Sequence, residues 1–215
     1  MHMADPAPGA RPRAGRRTPC SDAPAGRKRA PIRGGIAVVI LLAAACVAGC
    51  GSDEGAASAK PPNYAEALAG APAPLARLYD DADQLLPGGV DAFRRRLAEL
   101  RGHPVVVSKW ASWCGPCRTE FPWYQRLSAK LGKRIAFIGV NSNDSSAAAR
   151  TFLGEFPVPY PSYVDPGEEI ARLIGATVGF PGTAFYDRAG ALAYTRQGQY
   201  PSESALAADV RRYAR

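Results

Sequence analysis

The chain has 215 residues, of which 47% are hydrophobic and 21% charged, and its formal net charge is +8. That charge is unevenly placed: residues 1–50 carry 8 Lys and Arg against 2 Asp and Glu, a balance of +6, and residues 51–215 carry 19 against 17, a balance of +2. The basicity therefore belongs to the leading segment and marks no nucleic-acid surface, and five cysteines in a chain of this length do not make a disulfide-stapled scaffold.

Residues 1–35 are rich in Pro, Gly, Ala and Arg and cannot build a core. Arg27, Lys28, Arg29 and Arg33 precede an apolar run from Ile36 to Ala48, which has the length of a secretory h-region and is short for a membrane span. The run ends in Val47-Ala48-Gly49-Cys50, which resembles a bacterial lipobox in which Cys50 would carry lipid. Cys46, after Ala44-Ala45, fits that pattern less well, and Arg16-Arg17 before Thr18-Pro19 makes a poor twin-arginine signal. The alternative is an uncleaved membrane anchor over residues 34–51. The organisation expected is a signal peptide over 1–49, a flexible tether over 50–70 and one domain over 71–215, long enough for a single core. Cleavage at Cys50 would remove Cys20 and Cys46 and leave Cys114 and Cys117 as the only thiols. An exported protein with one free pair is doing thiol chemistry rather than stapling itself.

Residues 75–86 show helical spacing until Pro87-Gly88-Gly89 breaks it. Val90, Phe93, Leu97 and Leu100 predict a helix over 90–100, on which Arg94-Arg95-Arg96 reads as a solvated basic face. The apolar run 104–108 predicts the first central strand, and Trp113-Cys114-Gly115-Pro116-Cys117 opens a helix that extends to about Leu131 with Pro122 inside it. Strands follow over 135–140, 161–164, 183–186 and 191–197, and helices over 145–156, 168–174 and 202–213. Asp187-Arg188-Ala189-Gly190 turns between the last two strands. This order predicts an α/β fold with a mixed central sheet and helices on both faces.

A Cys-x-x-Cys pair between a strand and a helix is a redox device. The helix N-terminus carries about half a positive charge and unpaired N–H groups, which favour a thiolate at Cys114. Cys117, one turn on, can attack a mixed disulfide and release the partner. Pro116 presets a helical φ where a missing N–H is harmless. A structural zinc site would need two further ligands, and past residue 50 only His103 is of that kind. An inert disulfide would close a loop too short to staple the fold well.

Trp110-Ala111-Ser112-Trp113-Cys114-Gly115-Pro116-Cys117 resembles the active site of the thioredoxin superfamily. The continuation Arg118-Thr119-Glu120-Phe121-Pro122 is similar to the TlpA/ResA-like and DsbE-like extracytoplasmic thiol-disulfide oxidoreductases. The resemblance runs from about Ala71 to Arg215. It implies a thioredoxin-like three-layer fold with an extra α-β insertion between the second central strand and Gly179. It implies Cys114 and Cys117 as a redox-active disulfide and Pro181 as a cis-proline opposite them. Trp113, Gly115, Pro116, Phe180 and Pro181 would contact the substrate, with Trp113 forming an apolar lip and Trp110 packing under the helix. Glu120 would tune the protonation of the cysteines, the more so because Ser108 stands where thioredoxin has a buried aspartate. Lys109 departs from the apolar residue usual in the family and is expected to snorkel past the strand end, or else to stabilise a thiolate.

The resemblance also implies partners: thiols and disulfides of exported proteins, apocytochrome c among them, and a membrane electron donor of the DsbD/CcdA type. The place of action would be the extracytoplasmic face of a bacterial membrane, with no prosthetic group, no metal and no nucleic acid. The expected direction is reduction. The rivals are a disulfide-forming oxidase, a Sco-like copper-delivery module, a peroxiredoxin-type peroxidase and a non-catalytic binding module. The copper module would need wider cysteine spacing and a distal histidine, the peroxidase a different cysteine motif, and the binding module would not need both cysteines.

Overall fold

The computed structural model describes residues 60–215. The stretches read as signal peptide and lipobox, with Cys50, and the first part of the expected tether lie outside the described residues. Seven helices and six strands follow in the order α1 (Tyr64–Ala67), α2 (Ala73–Tyr79), β1 (Leu85–Leu86), α3 (Gly89–Glu99), β2 (Val105–Trp110), α4 (Gly115–Leu131), β3 (Ala136–Ser142), α5 (Ser146–Glu155), β4 (Ser162–Asp165), α6 (Glu169–Leu173), β5 (Gly182–Tyr186), β6 (Leu192–Gln197) and α7 (Glu203–Tyr213). One sheet holds all six strands in the order β1-β4-β3-β2-β5-β6. The first four in that order are mutually parallel, and β5 runs antiparallel to both of its neighbours, β2 and β6. Among the described residues no helix is long and apolar enough to cross a membrane.

The central strands explain themselves. Every residue of β2 and β3 is buried, as expected of strands covered by helices on both faces. On one face Val106, Phe137 and Phe185 meet α4, α5 and α7 through Phe121, Tyr124, Phe152, Leu206 and Val210. On the other, Val105, Val107, Ile138 and Val140 meet α2, α3 and α6 through Leu75, Leu78, Phe93 and Ile170. Gly139 makes one close approach possible: a Cβ there would fall 2.9 Å from the Trp110 indole nitrogen and against the Ser162 side chain. The helices start where the sequence signals them, with Ser145 accepting from Ala148 N and Ser202 from Ala205 N.

Three expectations need amendment. Part of the stretch read as tether is ordered: Asn63 caps α1, and the Tyr64 hydroxyl donates to Pro157 O at 2.9 Å. The run 75–86 is not one helix, because α2 ends at Tyr79 and Leu85-Leu86 pairs with Ser162 and Tyr163 as an edge strand. The basic run on α3 is not uniformly solvated. Arg94 and Arg95 are exposed, but Arg96 lies one turn after Phe93, turns inward with it, and pairs with Asp81 at 2.6 Å.

Candidate active site

β2 ends at Trp110, and a short turn over Ala111–Trp113 delivers Cys114 to the N-cap of α4. Cys114 and Cys117 form a disulfide. The Cys114 sulfur takes the place of a capping oxygen and accepts from Cys117 N at 3.1 Å. Gly115 and Pro116 occupy the first two helical positions and are exposed, while Cys114 is 3% and Cys117 1% exposed. Only the flanks of the pair are open, so a partner must dock closely before sulfur meets sulfur. Trp110 lies beneath the helix, 5.2 Å from the Phe121 ring and 5.0 Å from the Phe152 ring, with its indole N–H donating to Ser162 Oγ at 3.1 Å.

Antiparallel pairing sets Lys109 opposite Gly182, which puts Pro181 at the end of β2 that leads into the cysteines. The Phe180–Pro181 bond is cis. The Phe180 ring meets Trp113 edge to face at 4.8 Å, and Trp113, 58% exposed, donates its indole N–H to Asn143 O at 2.9 Å. Beside Trp113 a shallow open groove crosses Asn143, Asp144 and Pro166.

Glu120 follows Cys117 by one turn on the buried face of α4 and is 1% exposed. One carboxyl oxygen accepts from Tyr200 N at 2.5 Å, and the other, buried, has no partner among the described residues. Burial pushes its pKa up to about 7, against the opposing pull of the Tyr200 amide and the Arg196 charge. A carboxyl poised there can give or take a proton near neutral pH. Ser108 is buried on β2, and the neighbouring Tyr124 hydroxyl bonds Thr183 Oγ1 at 2.7 Å.

Lys109 corrects the sequence reading. It neither snorkels nor reaches toward the cysteines: its side chain is fully buried and its ammonium donates to Glu168 Oε2, Ala176 O and Gly179 O. The cause is its place on β2, where every residue is buried and three acceptors lie within reach of the ammonium. Asp144 is a site residue that no motif in the chain singles out. Its carboxylate accepts from Ser112 N at 2.6 Å, Ser112 Oγ at 2.8 Å, Asn141 Nδ2 at 2.9 Å and Ser145 N at 2.8 Å. Partial burial raises its pKa, but these bonds outweigh burial and hold it below the ordinary carboxylate range. Its neighbours Asn143 and Ser145 announce a helix start; its reach to the active-site turn is purely tertiary.

A Cys-x-x-Cys disulfide at the head of a helix, on a mixed sheet whose neighbouring strand is preceded by a cis-proline, places this chain among the thioredoxin-like proteins. More narrowly, it belongs to the Redoxin family, whose model matches residues 69–210. The thiol:disulfide interchange protein DsbE of Escherichia coli strain K12 is 33% identical over 138 residues, covering 64% of this chain and 70% of that protein. The DsbE of Pseudomonas fluorescens biotype C is 36% identical over 95 residues, 44% of this chain, and the match spans about half, 52%, of that relative's length. A crystal structure from Chlorobium tepidum, described as a candidate thiol:disulfide interchange protein DsbE, is 32% identical, with a TM-score of 0.50 over 54% of this chain and 83% of that one. The DsbE-like resemblance and the thioredoxin-like α/β fold both hold.

Proposed function

We propose that this protein is a thiol-disulfide oxidoreductase tethered to the outer face of a bacterial membrane through Cys50, and that it reduces disulfides in exported proteins. The observation that carries the reading is the Cys114–Cys117 disulfide at the N-terminus of α4. The names of the relatives support the chemistry, and the lipobox-like Val47-Ala48-Gly49-Cys50 supports the anchor. In the reduced protein the Cys114 thiolate, favoured by the helix N-terminus, attacks one sulfur of a substrate disulfide and displaces the other as a thiolate. The Cys117 thiolate then attacks Cys114 in the mixed disulfide, and the substrate leaves as a dithiol while the Cys114–Cys117 bond re-forms. Two protons end on the substrate sulfurs, and Glu120 is the group suited to relay one. Trp113 and Phe180 form the lip against which the substrate lies, with Gly115, Pro116 and Pro181 lining its path. A membrane dithiol donor of the DsbD/CcdA type would return the two electrons. Apocytochrome c, whose haem-binding cysteines must be reduced, is the substrate this reading favours.

Reduction of insulin by dithiothreitol in the presence of the protein tests the reading. Cys114→Ser should abolish the acceleration, and Cys117→Ser should accumulate mixed disulfides visible on non-reducing gels. Full activity in both single variants sinks the proposal. Equilibration with glutathione reads the direction: a reductant should lie nearer thioredoxin's potential of about −270 mV than the value of about −120 mV for a strong oxidant such as DsbA.

A further inference from the structure

The buried lysine of β2 is not explained by the chemistry of the cysteines. A Lys ammonium has three N–H donors, and here each has an acceptor: Glu168 Oε2 at 2.8 Å, Ala176 O at 3.1 Å and Gly179 O at 3.2 Å. The ammonium also sits 4.0 Å from the centre of the Phe180 ring. A buried charge pair gives little net stability over a well-packed apolar pair, so its presence here calls for another reason. The partners supply one. Two are carbonyls of the segment 176–179, the third belongs to the residue just before α6, and the ring belongs to the residue that precedes the cis-proline.

We propose that Lys109 and Glu168 are positioning residues that fix the segment 176–180 and thereby set how Phe180 and the Trp113–Phe180 lip meet a partner polypeptide. The inference rests on the oxidoreductase reading above and concerns which partners that site accepts. The segment has a left-handed glycine just before it and another within it, Gly175 at φ 71° and Gly179 at φ 72°, and the backbone bond from Ala176 N to Ala171 O at 2.9 Å fastens only its start. It is braced from outside by Gln197, whose side chain accepts from Val178 N at 3.0 Å and donates to Gly175 O. Lys109 braces it from inside. The Phe180 ring is then held between the ammonium and the edge-to-face contact with Trp113, 4.8 Å away. Without the lysine the ring and the backbone at residue 180 lose their fixed orientation, whereas the disulfide, carried by α4, does not move. Recognition of an extended polypeptide should suffer and intrinsic disulfide chemistry should not.

The test compares a protein substrate with a small thiol. The unlipidated full chain is assayed with insulin as substrate and dithiothreitol as reductant, and its own disulfide is separately reduced by dithiothreitol alone. Lys109→Met, which keeps length without charge, should raise KM for insulin about tenfold. It should leave kcat and the rate of reduction by dithiothreitol within about twofold. Glu168→Gln, at a side chain 32% exposed, should raise KM severalfold in the same pattern and decides the matter if Lys109→Met does not fold. An unchanged KM for insulin overturns the proposal. An equal loss in both assays does too, since it would mean a general structural role. Failure of the wild type to turn over insulin overturns the oxidoreductase reading instead, so the two failures are distinguishable.

Discussion

Glu120 ties the stability of the fold to pH through one buried side chain. Its pKa, raised to about 7 by burial, means that the folded protein holds a proton the unfolded chain would release. The associated stability is complete below the ordinary glutamate range and is lost as pH rises through about 7, since above that value the fold must carry a buried carboxylate. At about 1.4 kcal/mol per pKa unit the loss is on the order of 3 kcal/mol. Glu120→Gln keeps an acceptor for Tyr200 N and removes the charge. Urea unfolding should therefore find it more stable than wild type at pH 8 and equal to it at pH 4.5. The pH dependence of Cys114 alkylation should also simplify, because a thiolate and a nearby carboxylate titrate as a coupled pair. Parallel stability curves would reduce Glu120 to a bystander. The expectation that a Glu three residues past Cys117 shares its helix face needed only helical periodicity. The inward turn of Lys109 could not be read the same way, because an isolated lysine in an apolar run looks identical whether it escapes to water or finds Glu168 from 59 residues away.

Among the elements, the junction of β3 and α5 does the most for the active site. Asp144 closes it by binding Ser112 and Asn141 as well as its own helix start, and Asn143 O receives the Trp113 indole. The turn before the cysteines is thus fastened to the next strand rather than only to its own helix. Removing the carboxylate in Asp144→Ala leaves the partly buried Ser112 N–H without an acceptor and should cost about 2 kcal/mol at pH 7. The carboxylate's depressed pKa gives the sign with pH: its contribution is present above the ordinary Asp range and fades as pH falls through the lowered value. Denaturant titrations should find the penalty at pH 7 and a smaller one at pH 3; a pH-independent penalty would point to packing instead of charge. The helices and long strands of this chain are legible from periodicity and caps, as at Val90–Leu100, Ser145 and Ser202. β1 is not, since two leucines after a helical run carry no alternation and become a strand only because β4 offers an edge. For the same reason Arg96 is misread by composition: three arginines in a row point to three directions on a helix, and one of them meets Asp81.

At the scale of the molecule, the sheet divides the interior into two cores, and the cysteines sit at the rim of the one shared by α4, α5 and α7. The other core joins α2, α3 and α6 and does not include the site. The sheet's two edges differ: β6 closes one by a hairpin with β5, while β1 closes the other with two residues. Protection from hydrogen exchange should follow this inequality. The amides paired between β1 and β4 should exchange faster than those between β2 and β3, which are central and buried throughout. Equal protection would show that the edge unfolds only with the whole.

The pairing of Leu85 with Ser162 also sets a clock. A chain emerges N-terminus first, at about 5–20 residues per second, so β1 is out roughly 4–15 s before the strand that completes it. In that interval α3, β2, α4, β3 and α5 all emerge, and the parallel core of β2 and β3 can assemble without it. The first strand to be made thus pairs only once the fourth has emerged. Its two leucines wait without a strand partner until residue 162 arrives, which leaves this short edge open to a chaperone or a protease in the interval.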